Sequence, residues 1–431
     1  MKLIWLGLLF EIFLLILIKP FTVDFEFVSI LAVSVHIFFT MVVLFVQKSK
    51  FKLIFSAAFF GRIMFMLWDL NARQIFQLPN SGGDSVGFYN SAILVSENIS
   101  LLNENIYGAM YSKMIGLLFY WIGPLQMFAY YINVLLGLSV VLVIYKILNM
   151  LEVNYKITKL ILLLVAFFPN SMVMSAIFLR EIIITFFVTY SLYYFIKWFK
   201  KGFKINMVLS ILTLGIASLF HSGVVGIFLG YAFVFLFYIK EKNKYQFNVK
   251  SVMVFLGLVS FSFLVYTQFS AIFLAKFGNV ESMNDIYSRA NMSLGGSAYL
   301  TNITINNPIQ LVIYGPIKTF YFLTSPLPMD WRGFMDIFTF LFDSTLYLST
   351  FIYFVLNRRK FKERKVLITS LALILVSVSV VFGIGVFNAG TAVRHRQKII
   401  SIFLILFALM MDEKSKYNFK PFNKWTKSEK I

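Results

Sequence analysis

Hydrophobic and polar positions along this chain separate into long blocks. Apolar runs recur at about the 17 to 25 residues needed to carry a helix across a bilayer, and short polar or basic stretches divide them. Taken in order, the pattern predicts spans at Leu3–Ile18, Val28–Val46 and Leu53–Trp68. A polar loop follows, from about Asn71 to Ser112. The segment Lys113–Ile122 is apolar but too short to cross alone, and it ends at a Gly123-Pro124 break, so it is expected to lie near the surface. Leu125–Leu148 returns. Two shorter pairs come next: Lys159–Phe168 with Met172–Tyr194, meeting at Pro169-Asn170, and Ile205–Phe220 with Val224–Tyr238, meeting at His221-Ser222-Gly223. Val252–Phe269 leads into a second large loop, 270–308, and a short helix at Ile309–Leu323 follows it. Phe334–Leu356, Val366–Phe387 and Ile399–Met411 complete the series.

The expected fold is therefore all-α: one polytopic transmembrane helix bundle over residues 1–431, of about 11 spans, with short helices carried on the outer loops. Lipid supplies no partner for backbone N–H and C=O groups, so spans must be helices or a closed barrel. A barrel would show short alternating segments instead.

Composition agrees. Hydrophobic residues make up 59% of the 431 and charged residues 13%, against roughly 25% charged in soluble domains; mean hydropathy is +0.81. There is no cysteine, which excludes disulfides, thiolate metal sites and a cysteine nucleophile. The abundance of Phe, Ile and Lys points to an AT-rich bacterial genome. The first apolar run resembles a signal peptide but has no small-residue cleavage site after it, and is taken as an uncleaved first span.

The net charge of +20 suggests nucleic acid until its placement is considered. Basic residues cluster at Lys48–Lys52, Lys197–Lys204, Lys240–Lys250, Arg358–Lys365 and Lys414–Lys430. Assigned to the cytoplasmic side, these clusters make the spans alternate consistently. They leave the outer face near neutral and the whole excess inside, with both termini cytoplasmic and 412–431 a basic tail. That is the positive-inside pattern of a plasma-membrane protein, and a basic rim against anionic lipid explains the charge without nucleic acid.

Chemistry is expected on the opposite face. The first outer loop reads Ser81-Gly82-Gly83-Asp84-Ser85-Val86-Gly87-Phe88-Tyr89-Asn90-Ser91-Ala92. Asp84 is the first candidate: a carboxylate behind two glycines that let the backbone turn and a substrate approach. The same residues also suit an ordinary surface turn. Arg180-Glu181 lies early in a descending apolar helix, about Ser171–Tyr194, where ionisable groups line a cavity or neutralise each other. Gly390 to Lys398 gathers Arg394, His395, Arg396 and Lys398 on the outer side, against the charge trend. A phosphate or pyrophosphate fits such a cluster, since Arg offers a fork for it; generic headgroup contact is the plainer reading. His221, at a helix junction, suits a structural hydrogen bond as well as a substrate contact. Arg289, with Gly295 to Tyr299, could cap the site. Asp330-Trp331-Arg332 reads as an interfacial anchor. No nucleotide fingerprint and no histidine zinc motif is present, so no cofactor is expected and no metal is indicated.

Several of these pieces, taken in order, carry a resemblance. Asp84 is followed by an aromatic and a small residue, Tyr89 and Ala92. A short helix leads to Gly123. A Phe168-Pro169 turn opens a helix bearing Glu181, and Gly390, Arg394 and Arg396 precede the last span. In this order the chain, from about Arg62 to Leu406, resembles the GT-C superfamily of integral-membrane glycosyltransferases, in the group around the protein O-mannosyltransferases. Two spans before the Asp loop, rather than one, depart from that layout. The resemblance implies transfer of a sugar from a polyprenyl-phosphate carrier to a glycan or lipid-linked acceptor on the outer leaflet, with inversion. It implies Asp84 as general base, Arg394 and Arg396 on the carrier phosphate, and Arg180 and Glu181 lining the cavity. Two alternatives compete: an O-antigen or capsule-type polysaccharide polymerase, and a flippase or transporter of lipid-linked sugars.

Overall fold

The computed structural model describes residues 1–258, 260, 291, 296–357, 361 and 364–412. Arg289, most of the second predicted loop and the tail beyond Asp412 lie outside these residues. Within them the fold is almost entirely helical. One hairpin, β1 (Tyr238–Ile239) against β2 (Lys244–Tyr245), is the only named sheet among the described residues.

Helices α1 (Lys2–Ile18), α2 (Phe25–Val46) and α3 (Lys52–Asn71) match the first three predicted spans. Asp24 caps α2, its carboxylate accepting from the Phe27 amide at 2.9 Å. The predicted polar loop is largely helix. It contains α4 (Gly83–Glu97), a 3-10 turn at Ile99–Asn103 and the start of α5 (Met110–Ile122). The alternation of Phe88, Ala92 and Val95 on one side supplies the reason: these side chains are buried and α4 packs along α5. Helix α6 (Gln126–Met150) stands at the centre, buried on nearly every side, whereas α1 presents mostly apolar surface outward.

The stretch predicted as one helix from Met172 is broken. Helices α7 (Tyr155–Phe167) and α8 (Pro169–Ala176) meet at a 47° bend. The chain then runs non-helically through Ile177 to Leu179 before α9 (Glu181–Lys201). Asn133 of α6 holds this break open. Its side-chain amide donates to the carbonyls of Ile177 and Leu179 at 2.9 and 3.0 Å, and Tyr111 donates to its oxygen at 3.2 Å. Buried carbonyls freed from a helix need such donors. At the bend above, the buried Arg62 guanidinium caps α7 by donating to the carbonyls of Val165 and Ala166.

Helices α10 (Lys204–Phe220), α11 (Val225–Phe237) and α12 (Val249–Leu258) are short. Then come α13 (Pro308–Thr324), α14 (Phe334–Asn357, with a π-helical turn at Phe340–Ser344), α15 (Lys365–Gly385) and α16 (Ala389–Met411). Among the described residues seven helices are long and apolar enough to cross a membrane, or eight if the bent α7–α8 pair counts as one. The expectation of about eleven is not reproduced. α10 and α11 are too short for that test, and α16 carries Arg394, Arg396 and Lys398 along its length. α16 also begins ten residues before its predicted start, because the Asn388 side chain accepts from the Thr391 amide at 2.7 Å and caps the helix there.

The bundle has two chemically different ends. At one, the α2–α3, α9–α10 and β1–β2 connections carry Lys48, Lys50, Lys201, Lys242 and Lys244. Lys200 reaches Glu152 at 3.3 Å and Arg364 pairs with Asp412 at 2.9 Å on the same side. At the other end lie the C-terminus of α3, the start of α4, the α8–α9 break, His221 and the start of α16.

The native chain lacks cysteine, so this polarity can be read directly. Asn80→Cys and Lys242→Cys should be labelled from opposite sides of sealed vesicles by a membrane-impermeant maleimide. Labelling of both from one side would refute the arrangement.

Candidate functional site

Three elements meet at the non-basic end. Gly82 precedes α4 with φ +85°, a conformation that favours glycine, and a side chain there would collide with Gln77. The turn places Asp84 in the first helical turn, where the N-terminal dipole favours a negative charge. The broken α8–α9 junction delivers Arg180 and Glu181. The early start of α16 puts Arg394 on a helix rather than in a loop.

Arg394 bridges the other two. Its Nη1 donates to Asp84 Oδ2 at 2.6 Å and its Nη2 to Glu181 Oε1 at 2.7 Å. Glu181 is buried, while the Asp84 and Arg394 side chains keep about a quarter and a fifth of their surface exposed. The second Asp84 oxygen accepts the Tyr107 hydroxyl. Gly87 makes this possible, since a methyl group there would meet the Tyr107 ring. That hydrogen bond to Asp84 raises the Tyr107 phenol above its ordinary pKa, with burial adding to it.

Arg180 is nearly buried, with its guanidinium 5.6 Å from the Phe88 ring centroid. Its charge acts on Asp84, Glu181 and Arg394, yet its Nε has no hydrogen-bond partner among the described residues. Glu181 Oε2 and Arg394 Nε are likewise unpartnered there. Buried polar atoms are ordinarily satisfied, so this cluster has donor and acceptor capacity to spare for a polar guest.

The structure therefore brings together four predicted positions, Asp84, Arg180, Glu181 and Arg394, and separates others from them. Residues two apart on a helix do not share a face, so Arg396 points away from Arg394. Fully buried, it donates to the carbonyls of Phe322 and Ser325 at 2.9 and 2.7 Å and pairs with Asp343. Its expected place beside Arg394 in a phosphate clamp is thus corrected. His395 lies between, edge-on to His221 at 4.7 Å between ring centroids and 3.5 Å from Lys398 Nζ. His221 Nδ1 accepts the Gly223 amide at 3.0 Å, a turn-closing role. Tyr89 packs against Phe119 and Phe178 beneath the cluster. Arg332 donates to the Ala298 carbonyl at 3.0 Å. Sequence reasoning missed Tyr107, whose role no spacing marks; Lys398, expected in the cationic cluster, is buried and its charge acts on Glu181. Among the described residues no group of three His, Asp or Glu side chains is placed to hold a metal ion.

The fold and site define a helical membrane protein with a charged cluster at one end of its bundle. A scan against protein-family models and searches of curated proteins and of solved structures find no match.

Removing Arg394 leaves a buried carboxylate unpaired, which costs about 3–5 kcal/mol. Arg394→Gln should therefore lower the thermal unfolding midpoint in detergent, and adding Glu181→Gln should restore much of it. Equal midpoints for all three proteins would show that the bridge is not a stabilising contact.

Proposed function

We propose that this protein is a glycosyltransferase of the plasma membrane, moving a sugar from a polyprenyl-phosphate carrier to a glycan or lipid-linked acceptor at the non-cytoplasmic face. One observation carries the reading. A partly exposed carboxylate, Asp84, stands beside two guanidiniums, one of which, Arg180, is nearly buried and has an Nε without a partner among the described residues. Sugar transfer from a lipid phosphate requires this pairing: a proton acceptor for the acceptor hydroxyl and a cationic seat for the leaving phosphate.

In this reading the acceptor O–H gives its proton to Asp84 as the oxygen attacks the anomeric carbon. The bond from that carbon to the phosphate oxygen breaks, and the electron pair leaves with the phosphate. Arg180 and Arg394 face the charge that builds there. Glu181 holds Arg394 in register. The basic end faces the cytoplasm by the positive-inside rule, which places the cluster outside and both termini inside.

Arg180 takes over the phosphate-binding role first given to Arg396. Arg396 is saturated by two carbonyls and Asp343; drawing it to a ligand would strand a buried acid.

In proteoliposomes supplied with a panel of labelled polyprenyl-phosphate hexoses, Asp84→Asn should lower transfer by about 10²–10⁴-fold, the usual range for a general base. Arg180→Gln should lower it by about 10²-fold. Full activity of Asp84→Asn would favour a polymerase in which no single carboxylate is essential. Movement of the lipid-linked sugar across the vesicle wall without transfer would favour a flippase.

A further inference from the structure

Asp69 lies two residues before the end of α3, and nothing about its position in the sequence distinguishes it from a charge closing an apolar span. In the fold it is buried. Its carboxylate pairs with Arg73 Nη2 at 2.6 Å and accepts the Ser81 hydroxyl. Two short chains of contacts leave from it.

The first runs through Ser81. That residue also has its carbonyl held by the Gln77 amide and its own amide bonded to the Leu78 carbonyl at 3.0 Å. Ser81 is followed by Gly82, whose positive φ turns the chain into α4, and Asp84 lies three positions beyond Ser81. The second chain runs through Arg73, whose Nη2 also donates to the Tyr130 hydroxyl at 3.2 Å. The Tyr130 ring stacks on Phe178 with centroids 5.4 Å apart and planes 28° apart. Phe178 is fully buried in the α8–α9 break, two residues before Arg180 and three before Glu181.

We propose that Asp69 is the positioning residue that sets the spacing between Asp84 and the Arg180–Glu181 pair. Neither α4 nor the break is fixed there by backbone ladder bonds: one is entered by a glycine turn and the other is an interrupted helix. The entry to α4 is tied to the end of α3, a long helix packed against α6, and the break, whose carbonyls Asn133 already holds, receives a second tie from the same place; the two ties share one buried carboxylate. Removing that carboxylate cuts both ties. Cutting the Ser81 hydroxyl releases only the Asp84 side, and Tyr130→Phe, which keeps the stacked ring, releases only the hydrogen bond on the other. A misplacement of about 1 Å can lower turnover on the order of 10²-fold.

The functional part of this inference rests on reading the cluster as the transfer site, so its test has a readout independent of turnover. Spin labels at Asn90→Cys on α4 and Gly390→Cys at the start of α16 are both on exposed positions and report how α4 sits against the Arg394 helix. In the otherwise cysteine-free chain, Ser81→Ala and Asp69→Asn should broaden or shift the label-to-label distance, and Asp69→Glu should recover part of the native distribution. In the transfer assay the same variants should lower kcat on the order of tenfold or more while KM for the lipid donor stays within about twofold. Ser81→Ala removes one hydroxyl and is expected to fold. A native distance distribution in folded Ser81→Ala and Asp69→Asn would overturn the positioning role, whether or not the protein transfers sugar. A shifted distribution in the variants, with no transfer by the unsubstituted protein either, would uphold positioning and overturn the transferase reading.

Discussion

The structure depends on one guanidinium shared between two carboxylates. Arg394 holds Asp84 from α4 and Glu181 from α9 while standing on α16, so three segments far apart in sequence must keep their ends within a few ångströms. Such a triad is costly to desolvate, and its attraction offsets that cost only with good geometry. The geometry is met from several directions: the dipole of the first α4 turn favours Asp84, Tyr107 takes its second oxygen, and the break before α9 sets Glu181 at a helix start. The surroundings remain under-satisfied, since Arg180 Nε and Glu181 Oε2 lack hydrogen-bond partners among the described residues. A purely structural ion pair would gain from closing those vacancies; a site that receives a polar ligand has reason to leave them.

Much of this was legible in the sequence, and the rest was hidden for physical reasons. Apolar run length located α1, α2, α3, α6 and α15 closely, because a bilayer fixes the length of a span. The Gly82-Gly83 pair marks a sharp turn, but the helix α4 that starts there is not legible, since its small and polar residues lack a strong apolar stripe. The break at Ile177–Leu179 is apolar throughout and carries no local signal; Asn133, more than forty positions earlier, imposes it by capturing two carbonyls. Asp69 carries no motif or spacing in the sequence that singles it out. Its partners Ser81 and Tyr130 become visible only once α3, α4 and α6 are side by side.

The segment from Arg394 to Lys398 shows why a charge cluster in sequence is not a cluster in space. Read as a loop, its cations converge on one ligand. Read as the first turns of α16, successive side chains rotate by about 100°, and each meets a different neighbour. Arg394 faces the two acids, His395 faces His221 and Phe382, and Arg396 faces α13 and the π-helical turn of α14.

The two arginines two positions apart then differ in the property that matters for binding, which is saturation rather than charge. Arg396 is fully buried with two carbonyls and a carboxylate around it, under the face of Tyr347; any ligand would have to displace a buried acid and two main-chain acceptors together. Arg394 keeps a fifth of its surface open, and its partly exposed partner Asp84 keeps the Tyr107 hydroxyl and can take solvent at its other oxygen if the guanidinium turns to a new anion. Charge placed on one helix face is spent on holding α13 and α14 to the bundle, and charge on the opposite face stays exchangeable. That division lets a helix with so many cations be both a structural post and a wall of the site.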